Sequence, residues 1–389
     1  MKRHMLAAGL CLGVAAYAMG LTIFGPAVTA MAAGFGTDEA AVGTLFMWMA
    51  AGFLLSTAAG WALSGRIGLK WFAAPGISVL AIGLIMVGAG GTYPTAAAGM
   101  ALYGVGGAFL QIATNAGMAD LYPRRQAFAL NVLHSSFGIS ALLGPRFSGY
   151  WIASGHEWEE VYIMAGVAAF LPLPFYLLLR FPDHSRGTGR QNVGQVSDRL
   201  HSPWTDPVVA LTALAIFFYV GAEVATNNWS VRFLEASRSL DSIAAAAALS
   251  NFWLALTIGR LAVIGLATRI SPERLLLLLA TSSVLSGMLL LLGPDSLAGT
   301  AMVALGASYS GIFATLFAVA TTRIPGAAAP VSAMLTFAAG AGILVLTPAV
   351  GYVARWVGHP AGFGLTVVYL GALLGCTIVI TRKISRERR

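Results

Sequence analysis

The two halves of this chain resemble each other at an offset of about two hundred residues, and both consist almost wholly of long apolar runs. Polar landmarks recur in register: Tyr17 with Tyr219, Arg66 with Arg269, Gly91 with Gly293, Gly104 with Gly306, Pro123 with Pro325, Phe137 with Phe337 and Arg180 with Arg382. One such match means little in a chain with 46 glycines. Seven in nearly one register point to a duplicated bundle.

The apolar runs decide the solvent. The chain is 58% hydrophobic and 10% charged, where a soluble domain carries about 25% charged residues. About 20 apolar residues cross the hydrocarbon core of a bilayer. Twelve spanning helices are expected, at about 5–31, 41–64, 71–92, 95–120, 128–152, 160–180, 207–231, 242–268, 272–293, 296–322, 329–355 and 361–382. Runs this long cannot be strands of a membrane barrel, which alternate in segments of about ten residues. The expected fold is therefore all-α and polytopic. An N-terminal six-helix bundle (1–182) is followed by a Gly-, Ser-, Arg- and Gln-rich linker (183–206) without a core of its own. A C-terminal six-helix bundle with a basic tail (207–389) completes the chain. Parallel repeats of six-helix halves are one architecture of secondary transporters.

Lys2-Arg3 before an apolar run has the start of a signal peptide, but the run continues to Met31, too long for its hydrophobic region. The first run is expected to be a transmembrane helix. Cys11 and Cys376 fall inside spans and form neither a disulfide framework nor a metal-ligand spacing. The net charge of +8 invites a nucleic-acid reading, which its distribution opposes. Of 23 Lys and Arg, Arg232, Arg238 and Arg355 fall in the odd-numbered loops, Arg146 and Arg260 inside spans, and all others at the termini and even-numbered loops. Positive charge marks the cytoplasmic side. Both termini are expected there, in the inner cell membrane, with the tail against anionic lipid.

Residues 104–149 read GVGGAFLQIATNAGMADLYPRRQAFALNVLHSSFGISALLGPRFSG. This stretch resembles helices four and five of the major facilitator superfamily. More narrowly it is similar to the fucose:proton-symporter-like branch, where a Leu-Glu-x-x-x-Asn element precedes an Arg-containing loop, a polar Asn/His segment and a Gly-Pro. Tyr219–Trp229 (YVGAEVATNNW) resembles helix seven, Gly259-Arg260 helix eight, and Gly340-x-Gly342…Pro348-x-x-Gly351 helix eleven of the same group. The likeness covers essentially the whole chain. It implies the superfamily fold, alternating access and a proton-coupled sugar-like cargo. Two departures stand out. Gly65 stands where the superfamily's loop element after helix two carries Asp, and Thr268 stands there in the second copy. Gln111 replaces the branch's acid in helix four, and residues 5–31 hold no acid at all.

The intramembrane polar residues are the candidate machinery. Glu223 is the one carboxylate lying well inside a span. A charge at mid-bilayer costs about 3 kcal/mol on insertion scales, so it is expected to face a wet cavity or a partner. Such a buried carboxyl can exchange a proton near neutral pH; a structural ion pair is the plainer reading. Tyr219, Glu223 and Asn227 stand at i, i+4 and i+8 on one helical face, with Asn228 and Trp229 beside them. Amides exchange hydrogen bonds with hydroxyls and an indole stacks on a C–H face; a broken helix end is the alternative. Arg146, after Gly144-Pro145, lies about as deep as Glu223, which suggests an Arg146–Glu223 pair. Its rivals are direct binding of an anion and snorkelling to headgroups.

Gln111 and Asn115 are i, i+4 neighbours, and Asn131, His134 and Ser135 cluster early in helix five. Such groups also glue helices together. Imidazole titrates near neutrality, so His134 is the second coupling candidate or a gate. Asn251, Trp253, Tyr17, Tyr309 and Phe313 are candidates to line the substrate cavity, the last three by the superfamily resemblance. Arg66, Gly144, Pro145, Arg260, Arg269 and Pro348 are expected to gate or to hold structure.

No nucleophile–base set, metal cluster or intramembrane carboxylate pair is visible, so an enzyme is not expected. A channel would need a ring of like residues. The expected function is secondary transport of a small, neutral, polar solute, sugar-like and proton-coupled. A proton-antiport exporter of drugs or metabolites, or an organic-anion transporter using Arg146, is the alternative. The expected partners are a small molecule, protons and the lipid bilayer, with no nucleic acid and no cofactor, acting on a monomer.

Overall fold

The computed structural model describes residues 2–63, 68–122, 126–181, 206–267, 269–323 and 328–387. The chain divides into two compact units, Met1–Val193 and Gly194–Arg389. Arg66, Gly65, Thr268, Pro123, Pro325 and residues 183–205 of the expected linker lie outside the described residues.

The first unit contains α1 (Lys2–Thr22), α2 (Phe24–Phe35), α3 (Glu39–Gly43), α4 (Leu45–Leu63), α5 (Lys70–Ala89), α6 (Tyr93–Leu121), α7 (Gln126–Ala153), α8 (Trp158–Ala168) and α9 (Leu173–Leu178). The second contains α10 (Pro207–Ser237), α11 (Ser242–Ala267), α12 (Pro272–Leu292), α13 (Ala298–Tyr309), α14 (Ile312–Arg323), α15 (Ala328–Val357) and α16 (His359–Glu387). Among the described residues, eleven helical stretches are long and apolar enough to cross a membrane. The remaining expected span, helix five, is α7, 28 residues long. Together they make the twelve-helix bundle expected from the apolar runs.

Four expected spans are broken, the second near its start, at Thr44 between α3 and α4; the other three divide further in. The first divides at Ile23, where Pro26 has no N–H for the Thr22 carbonyl and its ring crowds that oxygen. Apolar surroundings cannot hydrate the freed backbone, so side chains must. From α7, Ser148 donates to the Ile23 carbonyl (2.9 Å) and Ser140 to that of Ala15 (2.7 Å). The sixth span divides between α8 and α9, where Pro172 and Pro174 stand two residues apart. The tenth divides at Ser310–Gly311 without any proline. There Ser308, Ser310 and Thr315 hydroxyls each donate to a backbone carbonyl three or four residues back at 2.7 Å. Such back-bonding, with a Ser-Gly pair, bends helices.

Within the first unit α6 packs on α4 and α5, α1 on α7, and α5 on α8. The second unit repeats this: α13 packs on α11 and α12, α10 on α15, and α12 on α16. The closest approaches repeat as well. A Cβ on Gly104 would lie 2.1 Å from the Met49 carbonyl oxygen, and one on Gly306 would lie 2.1 Å from that of Phe252. Only glycine lets backbones meet so closely.

Candidate functional site

The second unit gathers most of the candidate residues around α10. Asp206 starts that helix by accepting from the backbone N–H of Val208 (2.8 Å) and Val209 (3.2 Å), the normal role of an N-cap aspartate. Thirty-one residues of continuous helix then carry Tyr219, Glu223 and Asn227 in one row.

The Tyr219 hydroxyl donates to Oε1 of Glu223 at 2.9 Å and lies 3.1 Å from the carbonyl oxygen of Tyr309. Tyr219 and Tyr309 are both 1% exposed, and their rings meet edge to face at 5.6 Å. The Tyr309 hydroxyl lies 3.3 Å from that of Thr226. Phe313 follows beyond the break, 6.5 Å from the Tyr219 ring and 39% exposed. Within this unit, the cation whose charge acts on Glu223 is Arg260 of α11. Arg260 also acts on Tyr219.

One turn further along, Trp253 of α11 donates its indole N–H to Oδ1 of Asn227 (3.0 Å), and Nδ2 of Asn227 donates to Oδ1 of Asn228 (2.9 Å). Asn228 is fully buried and its Nδ2 finds no acceptor among the described residues. Trp229 donates to the Thr347 carbonyl on α15 at 3.1 Å. That carbonyl precedes Pro348, which sits inside α15 and deprives the Leu344 carbonyl of its helical donor. Through its indole N–H, Trp229 thus ties α10 to the Pro348 stretch of α15. The Asn227–Asn228 pair lies within continuous α10, so the alternative of a broken helix end does not hold. Asn251 is half-buried on α11, and Arg269 is exposed in the turn after it.

In the first unit Tyr17 is buried, stacked on Tyr103 at 5.5 Å and near Phe137 at 6.5 Å. The Tyr103 hydroxyl donates to the Tyr17 carbonyl. Gln111 is the hydrogen-bonding side chain next to the Tyr17 hydroxyl, and Asn115 donates to the Gln111 carbonyl at 2.9 Å. Gly144 is buried against Thr22 at the break after α1; a Cβ there would lie 2.2 Å from the threonine hydroxyl oxygen. Pro145 lies inside α7. His134 and Arg146 lie on exposed faces of α7, and the side chain of Asn131 is outside the described residues.

Two participants escaped the sequence reading. Thr226 stands seven residues after Tyr219 on the same helical face, a spacing that could have found it. Tyr103 lies on α6, a helix read for its glycines rather than its aromatics. Among the described residues no group of three or more His, Cys, Asp or Glu could hold a metal ion. The side chains gathered around α10 are hydrogen-bonding groups and one carboxyl.

Comparison with known proteins agrees with this architecture. The family model of the Major Facilitator Superfamily matches residues 10–347. A Helicobacter pylori protein named "Putative glucose/galactose transporter" is 26% identical over 253 residues, 61% of this chain and 60% of that protein. The matched region thus spans about 60% of the length of such curated relatives. The crystal structure of a nucleoside transporter superposes with a TM-score of 0.77 at 14% identity, covering 97% of this chain and 98% of the other. That of the E. coli fucose:proton symporter superposes with a TM-score of 0.66 at 17% identity, covering 98% and 99%. At these identities the two structures speak for the fold alone.

Proposed function

Because the chain belongs to the Major Facilitator Superfamily, we propose that it is a secondary transporter of a small, neutral, polyhydroxylated solute, moved by alternating access with protons. Glu223 is the proton carrier and Arg260 the charge that answers it in its own unit. Arg146 and His134 are the coupling candidates of the first unit.

The observation that carries this reading is the enclosed row on α10. It joins an acid, a tyrosine and two amides, one of which keeps an unpaired buried donor. A sugar hydroxyl is both donor and acceptor and suits such a set. The first unit gathers Tyr17, Gln111 and Asn115 in a polar cluster of its own. The relatives' names agree in kind, since hexoses, fucose and nucleosides all carry several hydroxyls. The excess of Lys and Arg at the termini and even-numbered loops supports placing both termini in the cytoplasm and the protein in the cytoplasmic membrane.

The test is a current measurement in proteoliposomes over D-glucose, D-galactose, L-fucose, uridine, organic anions and cationic drugs, with wild type beside Glu223→Gln. A sugar- or nucleoside-evoked current lost in Glu223→Gln is expected. A response only to an anion or a drug would overturn the neutral-solute reading, and a current unchanged by Glu223→Gln would remove the carrier.

A further inference from the structure

We propose that Tyr219 is a positioning residue that couples the charge state of Glu223 to the break in the tenth span. The proposal rests on the reading of Glu223 as the proton carrier and adds where its charge is felt.

A tyrosine hydroxyl has one proton to donate. Here it has two acceptors, the Glu223 carboxylate at 2.9 Å and the Tyr309 carbonyl at 3.1 Å. Tyr309 is the last residue of α13, at the helix end where carbonyls run out of intrahelical donors. It directly precedes the Ser310–Gly311 break. A hydrogen bond to an ionised acceptor is roughly twice as strong as one between neutral groups. With Glu223 ionised, the Tyr219 proton is drawn to the carboxylate and the Tyr309 carbonyl is left poorly satisfied. When a proton from water binds a Glu223 oxygen, the site becomes a neutral acid. The Tyr219 hydroxyl then turns to the Tyr309 carbonyl and the break tightens. One proton is taken up, none is released, and no other bond changes.

The surroundings single out this link. Gly259 lets α11 lie against the break, since a Cβ there would come 2.7 Å from the Ser310 side chain. Its neighbour Arg260 acts on Glu223. The other titratable groups near Glu223 are Tyr219 on its own helix and Tyr309 on α13. Residues 330–349 of α15 contain no titratable side chain, α14 has only Arg323 at its far end, and Tyr369 of α16 is bound to the Leu346 carbonyl at 3.2 Å.

The experiment is hydrogen–deuterium exchange of the full chain in lipid nanodiscs at pH 5.5 and 8.5, corrected for intrinsic exchange rates and read on peptides covering 305–316. In wild type, protection is expected to fall about fivefold at the higher pH, the worth of one net hydrogen bond. Tyr219→Phe and Glu223→Gln should each make protection independent of pH. If Glu223→Gln keeps the wild-type response, Glu223 is not the titrating group, and both the proposal and the proton-carrier reading fall. If Glu223→Gln flattens the response and Tyr219→Phe keeps it, the carrier stands and the Tyr219 link falls. No pH response in wild type also overturns the proposal. Should Tyr219→Phe fail to fold, Glu223→Asp takes its place, since its shorter side chain keeps the charge but withdraws the carboxylate from the Tyr219 hydroxyl: a flattened response supports the link, and a wild-type response overturns it.

Discussion

The same two positions of the fourth helix in each unit carry opposite chemistry. In the first unit they are Gln111 and Asn115, beside Tyr17. In the second they are Phe313 and Phe317, in tilted contact at 5.2 Å and beside Tyr219. Around these positions the units agree closely. Gly104 and Gly306 meet carbonyls at the same distance. The first helix of each unit is pinned to the end of its fourth, by His4 and Tyr122 at 2.9 Å in one and by Asp206 and Arg323 at 3.0 Å in the other. Backbone contact leaves no room for change, so both copies keep it. Side chains that face one another have room, and there the copies part. The acid follows the same rule, since the register counterpart of Glu223 is Leu21.

The largest effect is expected where the copies agree. Valine at Gly104 or at Gly306 would drive a carbon into a carbonyl 2.1 Å away. Overpacking of this kind costs about 1–3 kcal/mol or more. Both variants should lose monodispersity in detergent or melt well below wild type. If one copy accepted valine and the other did not, the packing would not be equivalent.

Next comes the acid. Glu223→Gln should cut pH-driven uptake of D-glucose by about tenfold or more, a change of roughly 1.4 kcal/mol. Uptake by solute counterflow, which needs no net proton movement, should suffer less. Equal losses in both assays would assign Glu223 to solute binding rather than coupling.

Exchanging the fourth-helix chemistry sharpens the comparison further. Gln111→Phe should raise the half-saturating glucose concentration about fivefold, the cost of one hydrogen bond. Phe313→Gln should change it less, because the second unit already has Asn227 and Asn228. The reverse order would assign solute binding to the polar groups of the second unit.

The smallest effect belongs to the pins. Burial pushes the Asp206 carboxyl up, but the N–H groups of Val209 and Val208 and the Arg323 guanidinium outweigh it and hold the group below the usual carboxylate range. A lowered native pKa means that this stabilisation is full above about pH 4 and is lost as pH falls through the native value. Asp206→Asn should therefore flatten the acid limb of the melting curve below that pH. Arg323→Gln, which breaks two partly exposed pairs, with Asp206 at 3.0 Å and Glu387 at 2.6 Å, should cost about 0.5–2 kcal/mol at neutral pH.

The spans were legible because apolar length alone reports them. The row on α10 was legible because Tyr219, Glu223 and Asn227 share a helical spacing. The breaks were not read. Pro26, Pro172 and Pro174 were visible signs of two of them, whereas the break at Ser310–Gly311 depends on where three hydroxyls turn. Nor could spacing reveal that Trp229 would be bound to the Thr347 carbonyl, a contact made only when α15 packs beside α10. That the charge of Arg260 acts on Glu223 is a matter of helix neighbours rather than of sequence.

The unpaired Nδ2 of Asn228 also offers a way to find a solute by thermal melting. A buried donor without an acceptor costs about 1–3 kcal/mol, a debt that a bound hydroxyl would cancel. A solute that reaches this amide should raise the melting temperature beyond what its affinity for the rest of the site supplies. Asn228→Leu removes that donor but also the acceptor of the Asn227 amide, so it should melt no higher than wild type and lose the extra shift with a hydroxylated solute; a thermal-shift screen of the two proteins side by side checks this.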